Sequence, residues 1–183
     1  TQDGFRGPAM TAIAFVVLMG AFGLNLSAGQ FFAPLQAAHD WQVTTLSLAV
    51  AVNMIVWGVL QPFMGRLVDR LGPRRVIAAS AALMGLSFLL STTIETRWEF
   101  FLYYGILTAV GFAGCGSMAN AVLVSRWYRR RRSLMLARSS MGINVGQLVL
   151  LPLAGWLIAS GGVDLAFGAL GVLMLCGVAP LVA

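Results

Sequence analysis

The chain has 183 residues, of which 59% are hydrophobic and 10% charged, and its mean hydropathy is +0.86; soluble domains run at roughly 45–50% apolar and about 25% charged. That excludes an ordinary soluble domain, and the formal charge of +6 rests on arginine alone, because the sequence contains no lysine. Without lysine no nucleotide-binding P-loop can form, and one histidine, His39, cannot make an H-E-x-x-H zinc site, so no enzyme activity, cofactor or metal is expected.

Six charge-free intervals follow in order: 7–38, 41–65, 76–94, 100–125, 139–163 and 165–183. Each approaches or exceeds the ~20 apolar residues that a spanning helix needs, and none alternates as a membrane β-strand would. The expected fold is therefore an all-α membrane bundle of six spans. The first interval is too long for a secretory signal, and five comparable ones follow it. Cys115 and Cys176 fall in spans 4 and 6 and read as buried free thiols. Because the sequence starts at Thr1 and stops inside an apolar run at Ala183, it is expected to belong to a longer polypeptide.

The twelve arginines set the threading. Arg6 precedes span 1; Arg66, Arg70, Arg74 and Arg75 lie between spans 2 and 3; Arg126, Arg129, Arg130, Arg131, Arg132 and Arg138 lie between spans 4 and 5. Only Arg97 falls on the other side, so both termini and the two basic connections are expected to be cytoplasmic. The run "RWYRRRR" has the residue types of a nucleic-acid patch. Set between two spans, it is better explained as a topology signal in contact with anionic lipid, and no nucleic acid is expected.

A shift of 90 residues superimposes "VLQPFMGRLVDRLG" on "VLLPLAGWLIASGG": Val59, Leu60, Pro62, Gly65, Leu67 and Gly72 match Val149, Leu150, Pro152, Gly155, Leu157 and Gly162. The same shift sets Ser27 on Ser117 and Gln30 on Asn120. An offset of three spans turns the second copy upside down, which gives an inverted 3+3 repeat with units of about 7–94 and 100–183. Secondary transporters are built this way, with their substrate sites between the repeats. Arg66, Asp69 and Arg70 become Trp156, Ala159 and Ser160 in the second copy. Shared structure explains the glycines and prolines of both copies but not the carboxylate, which makes Asp69 the leading functional candidate.

The pattern G-x-x-x-D-R-x-G-x-R-R, filled by Gly65, Asp69, Arg70, Gly72, Arg74 and Arg75, resembles the loop 2–3 signature of the major facilitator superfamily. The resemblance implies the N-terminal half of a twelve-helix transporter, whose partner is a C-terminal six-helix half or a second copy. In that family the signature is thought to act as a cytoplasmic latch against the other half. Asp3 and Gly4, the "YYG" of span 4 and the stretch "SRWYRRRRSLMLARSSMG" are similar to the monocarboxylate and oxalate:formate branch. That likeness implies a bacterial inner membrane and a small carboxylate substrate. Span 4 lacks the arginine of many proton-coupled members and span 1 lacks the lysine of animal monocarboxylate carriers, so the coupling ion is left open.

No Asp, Glu, Lys or His lies inside a span, although intramembrane charge would normally mark the pathway. The cavity candidates are therefore neutral: Asn25, Ser27 and Gln30 in span 1, Asn53 in span 2, Ser117 and Asn120 in span 4, and Asn144 and Gln147 in span 5. Arg138, at the cytoplasmic mouth of span 5, is the one cation near them. The resemblance lines the cavity with spans 1, 2, 4 and 5, where all of these residues fall. Interhelical hydrogen bonding explains the same polar residues without any substrate. Such groups would equally serve a sugar or a drug, and a non-transporting six-helix module is the remaining alternative. Gly111, Gly114, Gly116, Gly142 and Gly146 are expected at close helix contacts, and Pro62 and Pro152 at kinks.

Overall fold

The computed structural model describes residues 7–128 and 132–182; Asp3, Gly4, Arg6 and Arg129–Arg131 of the sequence reading lie outside them, as does the side chain of His39. The described residues are helical, with no strand among them. The helices are α1 (Gly7–Leu26), α2 (Ala28–His39), α3 (Val43–Leu71), α4 (Pro73–Leu90), α5 (Arg97–Phe100), α6 (Thr108–Cys115), α7 (Ser117–Ser125), α8 (Arg132–Val172) and α9 (Ala179–Val182). A 3-10 turn covers Ser91–Thr93, and π-helical segments cover Phe101–Leu107 and Leu173–Val178.

These elements make five long apolar runs where six spans were expected: Pro8–Ala38, Val43–Leu71, Pro73–Thr93, Arg97–Ser125 and Arg132–Leu181. The fifth has 50 residues and as a straight helix would be about 75 Å long, well over twice the ~30 Å hydrocarbon core. It is not straight, because Gly162 sits inside it at φ 82 and ψ −176. Before that glycine, Gly142, Gly146 and Leu150 lie against Phe15, Met19 and Gly23 in matching order. Beyond it the order reverses, with Phe167 stacked on Phe31 at 4.1 Å and Met174 against Gly20. The run is two limbs of opposite sense joined at Gly162.

The helix ends also differ from the hydropathy reading. Gly65 to Leu71 continue α3 rather than forming a loop, because arginine and leucine are strong helix formers even where hydropathy falls. The whole connection from α3 to α4 is Gly72, at φ 86 and ψ 150. Pro73 then opens α4, where its missing N–H costs nothing. Gly72 and Gly162 are the two described glycines with positive φ, and they stand 90 residues apart.

Two runs are interrupted near their middles. Between α1 and α2, the Ser27 hydroxyl donates to the Leu24 carbonyl at 2.7 Å, a back-bond that bends helices. Between α6 and α7, Gly116 is extended at ψ 179, and the Asn120 amide donates to the carbonyls of Cys115 and Gly116 at 2.7 and 3.1 Å.

Glycine sets the close contacts at Gly111, Gly114, Gly142 and Gly146 as expected, but not at Gly116, where a Cβ would meet nothing nearer than 3.4 Å. A Cβ at Gly142 or Gly146 would collide with the backbone of Phe15 or Met19, and one at Gly111 with Met84. Such smooth surfaces let helices gain dispersion contacts where lipid supplies no hydrophobic drive. Another expectation fails: Cys115 is buried, but Cys176 is exposed on the last limb.

Candidate functional site

Two polar regions emerge, one in the middle of the bundle and one at the end that carries the arginines. The middle region forms where the π-helical turn Phe101–Leu107 faces α3 and α4. A π-turn shifts backbone pairing by one residue and opens carbonyls to side chains. Asn53 Nδ2 donates to the Tyr104 carbonyl at 2.9 Å. The Ser87 hydroxyl donates to the Tyr103 carbonyl at 2.6 Å and pairs with the Thr108 hydroxyl at 2.7 Å. The Tyr104 hydroxyl in turn donates to the Asn25 carbonyl at 2.7 Å. The bonds from Asn53 and the Tyr104 hydroxyl tie α1, α3 and the Arg97–Ser125 run together, each worth roughly 1 kcal/mol in a membrane.

This layer is left incomplete. Asn25 is 1% exposed, and neither its amide oxygen nor its amide nitrogen has a partner; the same holds for Asn53 Oδ1, Asn120 Oδ1 and Trp57 Nε1. Unpaired polar atoms in a bilayer interior cost several kcal/mol each in the limit. Aromatic rings adjoin the layer, with Phe112 at 4.8 Å from Phe22 and 5.3 Å from Trp57.

The cavity candidates divide by burial. Asn25, Ser27, Asn53 and Asn120 are buried, and Ser27 and Asn120 repair the helix breaks described above. Gln30, Ser117, Asn144 and Arg138 are exposed and Gln147 is partly so. Arg138 borders a cavity of about 370 Å³ with Thr11, Phe15, Tyr128 and Met135. Tyr104 and Trp57 were missed by sequence reasoning. Trp57 stands one helical turn after Asn53, and that i, i+4 spacing was the available signal.

At the arginine-rich end, Asp69 and Arg70 are exposed in the last turn of α3, Gly65 is half-buried, and Arg74 and Arg75 are exposed in the first turn of α4. Arg66 lies over the Phe63 ring at 5.9 Å, and Arg74 donates to Met10 Sδ at 3.1 Å. Among the described residues Asp69 forms no ion pair.

The sequence profile of the Major Facilitator Superfamily matches residues 10–183. The chain belongs to this superfamily. It is 30% identical over 179 residues to monocarboxylate transporter 13 of Rattus norvegicus, covering 96% of this chain and 42% of that protein. It is 26% identical to the uncharacterized MFS-type transporter YcxA of Bacillus subtilis, covering 91% and 41%. It is 30% identical to the 4-hydroxybenzoate transporter PcaK of Pseudomonas aeruginosa, covering 76% and 33%. The chain thus spans less than half the length of each of these relatives. Family and relatives class it with membrane transporters of the monocarboxylate-like branch rather than with enzymes, and make it an integral membrane protein.

Proposed function

We propose that residues 7–94 and 100–183 are two inverted three-helix units, together one half of an alternating-access transporter for small organic anions. The observation that carries the reading is that contacts recur under the 90-residue shift. Phe22 touches Phe112, its own counterpart, at 4.8 Å, and Gly85 packs against its counterpart Leu175. The contact of Phe15 with Gly142 corresponds to that of Gly105 with Val52. Reciprocal contacts of this kind between helices of opposite sense fit a two-fold axis lying in the membrane plane, as in inverted-repeat transporters.

The accessible neutral polar residues of α2, α7 and α8 then line one side of a path that a second six-helix unit closes. Gln30, Ser117, Asn144 and Gln147 supply its accessible donors and acceptors, Asn25, Asn53 and Asn120 stay buried within this unit, and Arg138 supplies positive charge at its cytoplasmic mouth. Asp69 and its arginines form a latch against the second unit, and both termini face the cytoplasm of a bacterial inner membrane. The names of the relatives favour a monocarboxylate and the oxalate:formate likeness adds a small dicarboxylate, and arginine is a natural bidentate partner for either.

Uptake of labelled lactate, pyruvate, oxalate and 4-hydroxybenzoate by the full-length protein in proteoliposomes tests this. Saturable uptake of at least one, reduced about tenfold by Arg138→Gln (roughly 1.4 kcal/mol), is expected. Uptake of none, with a sugar or neutral drug carried instead, would overturn the anion assignment and leave the repeat standing.

A further inference from the structure

Beside the latch residues lies an open cavity of about 870 Å³, between the start of α4 and the end of α7. Arg74, Arg75 and Arg126 line it together with Leu71, Leu123 and Trp127. None of the three arginines forms an ion pair among the described residues. Seven described arginines stand at this end of the bundle, namely Arg66, Arg70, Arg74, Arg75, Arg126, Arg132 and Arg138, with Asp69 as the one described carboxylate. One of the three guanidinium groups in the cavity is held by a hydrogen bond and a second lies near the Gly72 turn. Arg74 is held by Met10 Sδ at 3.1 Å. Arg126 Nη1 lies 4.0 Å from where a Cβ on Gly72 would stand, close to the turn that opens the cavity.

We propose that this cavity binds a phosphate oxyanion presented by an anionic phospholipid of the adjacent leaflet. Guanidinium forks match phosphate oxygens in pairs, and three of them exceed what one carboxylate needs. The level is also right, because the cavity sits where the apolar runs Pro73–Thr93 and Arg97–Ser125 meet at one end, at the depth of headgroups rather than of acyl chains. Trp127 is half-buried and carries the amphipathic ring that settles at that level. Leu71, 51% exposed, gives the wall an apolar part for the start of a chain. Basic pockets between membrane helices on the cytoplasmic side hold anionic headgroups in this way. The site differs from the substrate path in place and in chemistry, and it would make the end of the bundle that carries Asp69 sensitive to lipid composition.

The test uses the full-length protein in nanodiscs of phosphatidylcholine with increasing phosphatidylglycerol, read by thermal unfolding and by native mass spectrometry of retained lipid. Phosphatidylglycerol should raise Tm saturably and be retained over phosphatidylcholine at equal mole fraction. The double variant Arg75→Gln/Arg126→Gln should weaken that dependence about tenfold or more, while Arg97→Gln at the opposite end should leave it unchanged. Mass spectrometry of the unmodified protein keeps the test decisive if the double variant does not fold, since no preference for phosphatidylglycerol would then refute the site. Equal response of the double variant and the unmodified protein would overturn the proposal. The same saturable stabilisation by inorganic phosphate in pure phosphatidylcholine would show an anion from solution and overturn the lipid source. Loss of transport in the double variant with lipid preference intact would return these arginines to the latch.

Discussion

The turn at Gly72 has φ 86 and ψ 150, and the turn at Gly162 has φ 82 and ψ −176. Around the first stand Arg66, Asp69 and Arg70; around the second, at equivalent positions, stand Trp156, Ala159 and Ser160. The helices before both carry an internal proline, Pro62 in α3 and Pro152 in α8. What the two copies share is therefore a backbone solution: a reversal within one residue, at a conformation almost confined to glycine. What they do not share is charge. The fold of this turn needs no arginine or aspartate, since the second turn is made without them, and the proposed latch and orientation are what would use the charges of the first.

The sharpest way to break the shared half of that comparison is to remove the glycines. Gly72→Ala and Gly162→Ala should each cost about 1–3 kcal/mol from backbone conformation alone. A Cβ at Gly162 meets nothing within 4 Å, and one at Gly72 meets only Arg126 at 4.0 Å. Thermal unfolding in detergent should show similar losses of Tm for the two variants. A loss at Gly72 alone would mean that the second turn is not equivalent to the first.

A smaller effect sharpens the unshared half. Asp69→Asn should slow transport by the full-length protein about tenfold (roughly 1.4 kcal/mol) with little change in Tm or substrate affinity, while Ala159→Asn at the counterpart position should change none of these. The mutated groups are exposed, so unfolding is not the expected route of damage. Equal transport by both variants would reduce Asp69 and its neighbours to a topology signal.

The charge-free intervals gave the order of the apolar segments but six of them where there are five long runs, and six identities in fourteen positions gave the 90-residue offset that the two positive-φ glycines share. Hydropathy could not give the helix ends. Val43–Leu71 outlasts its interval by six residues, and α8 begins at Arg132 rather than Ser139, because helix propensity continues where apolarity stops. Nor could it say which face is buried, since a membrane helix is apolar towards both lipid and neighbour. That is why Cys176 was misplaced and why Gln30, Ser117 and Asn144 could not be separated from Asn25, Asn53 and Asn120. The π-turn that recruits Asn53 and Ser87 left no mark in composition, because its pairing is a backbone event fixed by contacts between distant segments.

The central claim is the inversion of the two copies, and it predicts that counterpart residues lie on opposite sides of the membrane. Arg70 and Ser160 are such a pair, both exposed, and can be replaced singly by cysteine in a Cys176→Ser background where Cys115 stays buried. Labelling with a membrane-impermeant maleimide in intact cells and in inside-out vesicles should modify Arg70→Cys only from the cytoplasmic side and Ser160→Cys only from the opposite one. Modification of both from the same side would contradict the inverted repeat and the transport mechanism built on it.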